Sequence, residues 1–410
     1  MGIEITLAVV FVGFLIFAAY LFAEFFRSKN IPDVLLLIII GLVVGPITGL
    51  LNQSMFGHIG SVFSNITLVI ILFEGGTNLK AEIIKQALRG TAKITLINFL
   101  TSTFLTGFIT YYFFDFDPIL SFMLGAFLGG TASAIIIPMV AQLKMASNSK
   151  TILVLESAVT DVLCVVVGLA FFEAFKLGEV KLFSLFGSLV SGFLFSIILG
   201  FLGGLVWSFL LNKVRSINNS IFTTPAFVFI MFGISELLGF NGAITALIFG
   251  ITLANIELLP LNQIQKYTRF TPNSLNETEK VFFAEVVFLL KTFFFVYIGI
   301  SIVLTDYFSL SIGLLLTCVY YFIRVFIVNI SVSNRIPKPD RIIMSMMVPK
   351  GLAAAVLASL PYQAGIEGGE LIQNITYSAV LFSIVANSLL IFANSRVPAV
   401  RAVYGLFFKS

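Results

Sequence analysis

The chain has 410 residues, of which 59% are hydrophobic and 11% charged, with 46 Phe and a formal net charge of +4. Ordinary globular proteins are about 25% charged, so this composition excludes a soluble fold, a disordered chain and a nucleic-acid-binding face. It leaves an all-α polytopic membrane protein.

Hydropathy predicts thirteen spans, at 5–26, 31–51, 60–78, 91–113, 118–142, 151–175, 182–211, 222–238, 241–256, 281–304, 308–332, 341–361 and 372–394. A bilayer-spanning helix takes about 20 mostly apolar residues. The first run has no basic residue before it and no small-residue cleavage site, so it reads as a span and not a removable signal peptide. The third carries Phe73-Glu74-Gly75-Gly76, and the fifth carries Gly125, Gly129 and Gly130 before Thr131-Ala132-Ser133 and Pro138. Glu156-Ser157-Ala158-Val159-Thr160-Asp161 lies in the sixth. The seventh is long and must tilt or kink, whereas the eighth and ninth are short. The stretch 257–280, with Pro260, Pro272 and Asn273, reads as a cytoplasmic linker. Lys291 lies in the tenth span, Arg324 in the eleventh, and Pro349-Lys350-Gly351 in the twelfth. The tail after Ser395 is short and basic, and no soluble domain is evident.

Charge placement sets the orientation. With the N-terminus outside and the C-terminus cytoplasmic, every basic residue outside the spans except Lys176 and Lys181 falls on the cytoplasmic side. That bias is expected because basic residues resist translocation. Asp115, Asp117, Asp306, Glu367 and Glu370 fall outside. The expectation is a multi-pass protein of the cell membrane.

The fifth and twelfth spans, where glycine and proline cluster, are each the fifth element of a six-span block. The chain thus divides into a first block at 5–175, a connector at 182–211 and a second block at 222–394. An offset of seven spans inverts one block against the other. Two inverted six-helix repeats are predicted, with broken helices 5 and 12 crossing at the midplane, although residue identity between the blocks is not visible. Backbone exposed by such breaks must be satisfied internally, and an ion is a natural partner.

Ionisable residues inside spans are costly and mark function. Ser157 and Asp161, four apart at about 100° per residue, share a helix face. With Thr160 they make an oxygen cluster suited to a hard monovalent cation or a proton. Glu156 points elsewhere and needs a basic partner; Arg324 is the first candidate, with Lys350 and Lys291 behind it. Glu74 is placed either to line an ion path or to snorkel toward water.

These motifs resemble the monovalent cation/proton antiporters, closest to the NhaP-like and NHE-type sodium/proton exchangers. Glu156-Ser-Ala-Val-Thr160-Asp161 is similar to the family's E-S-x-x-N-D, and Phe73-Glu74-Gly-Gly to its F-E-x-G. Pro349-Lys350-Gly351 stands where the family has R-G, and Phe294 to Ser301 resembles its aromatic-rich L-G-x-S segment. The chain departs at Thr160 (family Asn), at Ala132 (family acid) and at Lys350 (family Arg). The resemblance implies that Asp161 binds cation and proton in competition. Thr131, Ser133, Ser157, Thr160 and Glu74 would then be helper oxygens, Glu156–Arg324 a structural brace, and Lys350 a compensator of helix-end carbonyls that never touches the ion. It also implies a homodimer and no cofactor.

One titratable carboxylate supports one-for-one, electroneutral exchange of Na⁺ or K⁺ for H⁺; a Lys291 that also lost its proton would make it electrogenic. A cation channel would want a selectivity-filter loop, which is not seen. An intramembrane aspartyl protease would want a second deep Asp. The single His58 leaves no Ser–His hydrolase or His-ligated zinc, and Cys164 and Cys318 form neither a disulfide framework nor a CxxC site. An organic-anion symporter shares the broken-helix architecture, but Glu156 and Asp161 argue for a cation.

Overall fold

The computed structural model describes residues 10, 13–21, 33–51, 53–82, 85, 91–176, 182–217, 220–259 and 272–408. Most of the predicted first span, Lys181 and the 260–271 part of the linker lie outside them, as do Arg27, Lys29, Arg89, Lys266, Arg269 and Lys409. Among the described residues the chain is all-helical, with no strand. The helices are α1 (Asp33–Leu42), α2 (Gln53–Asn78), α3 (Ala92–Phe114), α4 (Pro118–Phe127), α5 (Ser133–Gln142), α6 (Ser147–Lys176), α7 (Leu182–Arg215) and α8 (Thr223–Leu237). They continue with α9 (Gly242–Ala254), α10 (Glu277–Ser301), α11 (Tyr307–Ser331), α12 (Lys338–Met346), α13 (Leu352–Gln363), α14 (Gly369–Arg396) and α15 (Pro398–Gly405). Seven described helices are long and apolar enough to cross a membrane, and α4, α5, α9 and α13 are shorter apolar helices.

α3 shows which solvent the sequence is written for. Its Thr95, Asn98, Ser102, Thr106 and Thr110 are all buried, at spacings of three or four. Leu96, Leu100, Phe104 and Phe108 on other faces are about half exposed or more, up to 60% for Phe104. Polar inside and apolar outside is the arrangement that lipid rewards. Two of these hydroxyls are satisfied at close range: Thr106 and Thr110 donate to the carbonyls of Ser102 and Thr106, each at 2.8 Å.

The fifth predicted span is two helices. Asp117 starts α4 by accepting the N–H groups of Ile119 at 2.8 Å and Leu120 at 3.2 Å, with Pro118 at the first position, where its missing N–H costs nothing. Helix stops at Phe127 and resumes at Ser133. The twelfth predicted span is likewise two, because the chain runs without helix from Met347 to Gly351 between α12 and α13. Proline at 349 cannot donate to a helix ladder. The seventh span is one continuous helix, α7, of 34 residues. The second ends in a π-helical turn at Val43–Ile47 around Pro46.

The chain forms two compact units, one of Met1–Ser61, Ala87–Phe172 and Lys291–Ser410, the other of Val62–Gln86 and Glu173–Leu290. Each draws on both predicted six-span blocks. In the first unit α11 and α13 pack on α14, and α3 packs on α4 so closely that a Cβ on Gly125 would lie 2.3 Å from the Thr103 carbonyl oxygen. In the same unit α1 crosses the end of α10 at Gly41 and Gly299. A Cβ on either would meet the carbonyl oxygen three residues before the other glycine, Val296 O at 2.2 Å or Ile38 O at 2.3 Å.

In the second unit α7 packs on α8 and α9 around Phe73, Trp207, Val228, Phe249 and Phe283. There α2 crosses α9 at Gly76 and Gly250 with the same geometry. Cβ atoms on these would meet Leu247 O at 2.3 Å and Phe73 O at 2.2 Å, again three residues before the partner glycine. Close backbone approach through small residues is how helices gain contact in lipid.

Candidate functional site

The two helix breaks meet in the first unit. The Ala132 N–H donates to the Pro349 carbonyl at 2.8 Å. Gly351 is extended (φ −143°), so its backbone suits any residue, but space does not: a Cβ there would come within 2.3 Å of the Ala132 Cβ.

Beside this crossing, α6 presents Asp161. Its Oδ2 accepts the Ser133 N–H at 3.2 Å and the Ser133 hydroxyl, which places a carboxylate against the positive end of half-helix α5. Asp161 and Ser133 are both partly exposed, and among the described residues no basic side chain pairs with Asp161. One residue back, the buried Thr160 hydroxyl accepts the Thr131 N–H at 3.1 Å, lies 3.4 Å from the Thr131 hydroxyl, and donates to the Ser157 carbonyl at 3.2 Å. The Ser157 hydroxyl donates to Val154 O of its own helix at 3.0 Å.

The buried bases of this unit bond other groups. Arg324 on α11 grips Glu156 through both ends of its guanidinium, at 2.5 and 2.7 Å, and its Nε donates to Met344 O at 3.2 Å. Both side chains are wholly buried, so the charge-assisted fork replaces their lost hydration. Met344 lies in the last turn of α12, where its carbonyl otherwise takes only a long bond from the Met347 N–H, at 3.4 Å. Lys350, also wholly buried, sends its ammonium to the Gly130 carbonyl at 3.0 Å and over the Tyr320 ring at 4.0 Å. A cation thus stands at the carbonyl end of each half-helix that runs into a break.

The break at 347–351 is held from α14 as well. The Lys350 N–H donates to the Ser383 hydroxyl at 2.9 Å, and that hydroxyl donates to Val380 O at 3.0 Å. Asp340, buried in the first turn of α12, accepts the Ala146 N–H at 3.0 Å and the Ser149 hydroxyl at 2.6 Å, clasping the start of α6. Neither Ser383 nor Asp340 was marked by sequence reasoning. A serine in an apolar run reads as packing, and an acid next to Arg341 reads as a surface charge.

Of the other sequence candidates, Glu74 lies in the second unit, where its carboxylate accepts the Asn78 amide at 2.6 Å. Lys291 stands partly buried on α10 at the start of the first unit's last segment.

Residues 11–394 match the family described as sodium/hydrogen exchanger, transmembrane. The chain belongs to that family. It is therefore a multi-pass membrane protein of a transporter family. Over 376 residues this exchanger-family chain is 25% identical to the probable Na⁺/H⁺ antiporter 2 of Methanocaldococcus jannaschii, covering 86% of itself and 85% of that protein. It is 24% identical to the K⁺/H⁺ antiporter NhaP2 of Shewanella baltica, covering 87% of itself but 60% of that longer protein. Its fold is similar to that of the sodium proton antiporter MjNhaP1 from M. jannaschii at pH 8, with a TM-score of 0.74, 18% identity, and coverage of 94% of this chain and 100% of the other.

Proposed function

We propose that this chain is a secondary-active antiporter that exchanges a monovalent cation, Na⁺ or K⁺, for H⁺ by competition at Asp161, with alternating access to the two sides of the membrane. The observation that carries the reading is a partly exposed carboxylate, set on a half-helix N-terminus, to which no basic residue is paired among the described residues, although Arg324 and Lys350 are buried in the same unit. Arg324 and Lys350 are committed to Glu156, Met344 O and Gly130 O, so the charge of Asp161 is left to be balanced by what arrives from water. A proton neutralises it, and a cation balances it; one transit carries one or the other. The names of the relatives, one a Na⁺/H⁺ and one a K⁺/H⁺ antiporter, support both ions.

In this reading Thr131 and Ser133 lend neutral oxygens to the cation, with Ser157 and Thr160 as further oxygens beside it, and Lys291 modulates it. Glu156–Arg324 braces α6 against α11, and Lys350 neutralises the carbonyls after α4. The chain has no enzymatic role. It lies in the cell membrane with thirteen spans, N-terminus outside and C-terminus cytoplasmic, as a homodimer. The matching glycine crossings, Gly41 with Gly299 and Gly76 with Gly250, support the inverted repeat, because they fall between the second and tenth spans and between the ninth and third.

The test is proton movement in proteoliposomes driven by Na⁺, K⁺ or Li⁺ gradients. Asp161→Asn, which keeps volume and hydrogen bonding but removes the exchangeable charge, is expected to abolish it in a folded protein. Half the wild-type rate in that variant would overturn the assignment.

A further inference from the structure

Two backbone N–H groups freed by the helix breaks are taken up in the same way. In the first break the Thr131 N–H goes to the Thr160 hydroxyl, which itself donates to the carbonyl three residues earlier, Ser157 O. In the second the Lys350 N–H goes to the Ser383 hydroxyl, which donates to Val380 O, again three residues earlier. Thr160 and Ser383 lie in the last span of their respective blocks, just beyond the broken span. The first bracket sits beside Asp161. The second has Ile384 where the first has the acid, so it holds backbone with no charge to serve.

We propose that Ser383 is a positioning residue for the exchange site, acting through the second break on the residues that face Asp161. The path is short. Ser383 holds the Lys350 N–H at 2.9 Å; from that held segment Pro349 O takes the Ala132 N–H at 2.8 Å, and the Lys350 ammonium takes the Gly130 carbonyl at 3.0 Å. Thr131 is thereby pinned on both flanks, and the next turn begins with Ser133, whose N–H and hydroxyl meet Asp161. Ser383 is itself fixed, fully buried, with its carbonyl bonded by the Tyr321 hydroxyl at 2.9 Å. Without its hydroxyl the Lys350 N–H is left unpaired in a place water does not reach, and a buried donor in that state drives local rearrangement. The rearrangement loosens both grips on residues 130–132, so the oxygens beside Asp161 are less well placed before the cation arrives.

The inference rests on the exchange function proposed above, and the experiment separates the two. Ser383→Ala is compared with Ser388→Ala in proteoliposomes over a range of Na⁺ and K⁺ concentrations. Ser388 is on the same helix, and its hydroxyl bonds Ile384 O within that helix, so the control loses an equivalent helical bond and nothing at the break. Ser383→Ala is expected to raise the KM for the cation about tenfold, the scale of one lost buried hydrogen bond, with a smaller change in maximal rate. Ser388→Ala is expected to keep the wild-type KM. Should Ser383→Ala not fold, Ser383→Cys, which preserves the volume and offers only a weak acceptor, is expected to show the same rise. Equal KM values for the Ser383 variant, the control and wild type would overturn the proposal, as would an equal rise in both variants. A wild-type protein that moves no protons under any cation gradient would overturn the exchange reading instead.

Discussion

Glu156 and Arg324 have no solvent exposure at all, so each depends on the other for the free energy its charge lost on leaving water. The bidentate fork and the extra bond to Met344 O satisfy most of the guanidinium's donors. Removing one partner of such a pair strands the other and costs about 3–5 kcal/mol, whereas replacing both by apolar groups can be nearly neutral. Glu156→Gln and Arg324→Leu are each expected to lower the Tm sharply, and the double variant to regain part of the loss. Thermal unfolding of all four proteins closes the cycle, and additive losses would contradict the coupling. These charges were legible from sequence because an acid or base inside an apolar run stands out. Arg324 was named ahead of Lys350 and Lys291 as the partner of Glu156 and is the partner found, but the geometry that fixes it, how α6 and α11 face each other, was not legible. Ser383 was not legible for a different reason: its partner is a backbone N–H, which every residue but proline has, and only the break makes that one available.

At the scale of elements, the breaks announced themselves through Gly129-Gly130 and Pro349, residues that end helices by lacking a Cβ or an N–H. The glycine crossings did not. Gly41, Gly76, Gly250 and Gly299 sit in apolar runs like those that hold Gly75 and Gly233, and nothing local tells a glycine under another helix from one facing open space. The structure separates them. A Cβ on Gly250 would lie 2.2 Å from Phe73 O and one on Gly41 2.2 Å from Val296 O, while Cβ atoms on Gly75 and Gly233 would meet nothing within 4 Å. Because the obstacle at the first two is backbone, the helices themselves must part. Gly250→Ala and Gly41→Ala are each expected to cost about 1–3 kcal/mol as overpacked sites, whereas Gly75→Ala and Gly233→Ala gain helix propensity and leave the Tm level or higher. Equal Tm values across the four would mean the crossings are looser than the geometry states.

For the whole molecule, membrane residence was plain from composition, and the proposal of two inverted blocks rests on where the breaks fall in the count of spans. What stayed hidden is that neither compact unit coincides with a block; each is assembled from both, and contact between distant segments has no signature in a single sequence. One feature of the first unit makes its inner motion open to chemistry. Cys164 is buried and Cys318 exposed, and the Cys164 thiol lies against Gly130, so near that a Cβ there would be 2.7 Å from the sulfur. In a Cys318→Ser background the protein carries a single thiol, seated on the break residue whose carbonyl Lys350 holds. Its rate of alkylation by a maleimide then counts how often that residue lifts from α6. Slow labelling is expected in the native protein and faster labelling in Ser383→Ala. Native labelling as fast as that of the unfolded chain would show that Gly130 is not held down. The exchanger thus carries, about four turns along α6 from Asp340's clasp on Ser149 and one from Asp161, its own stopwatch.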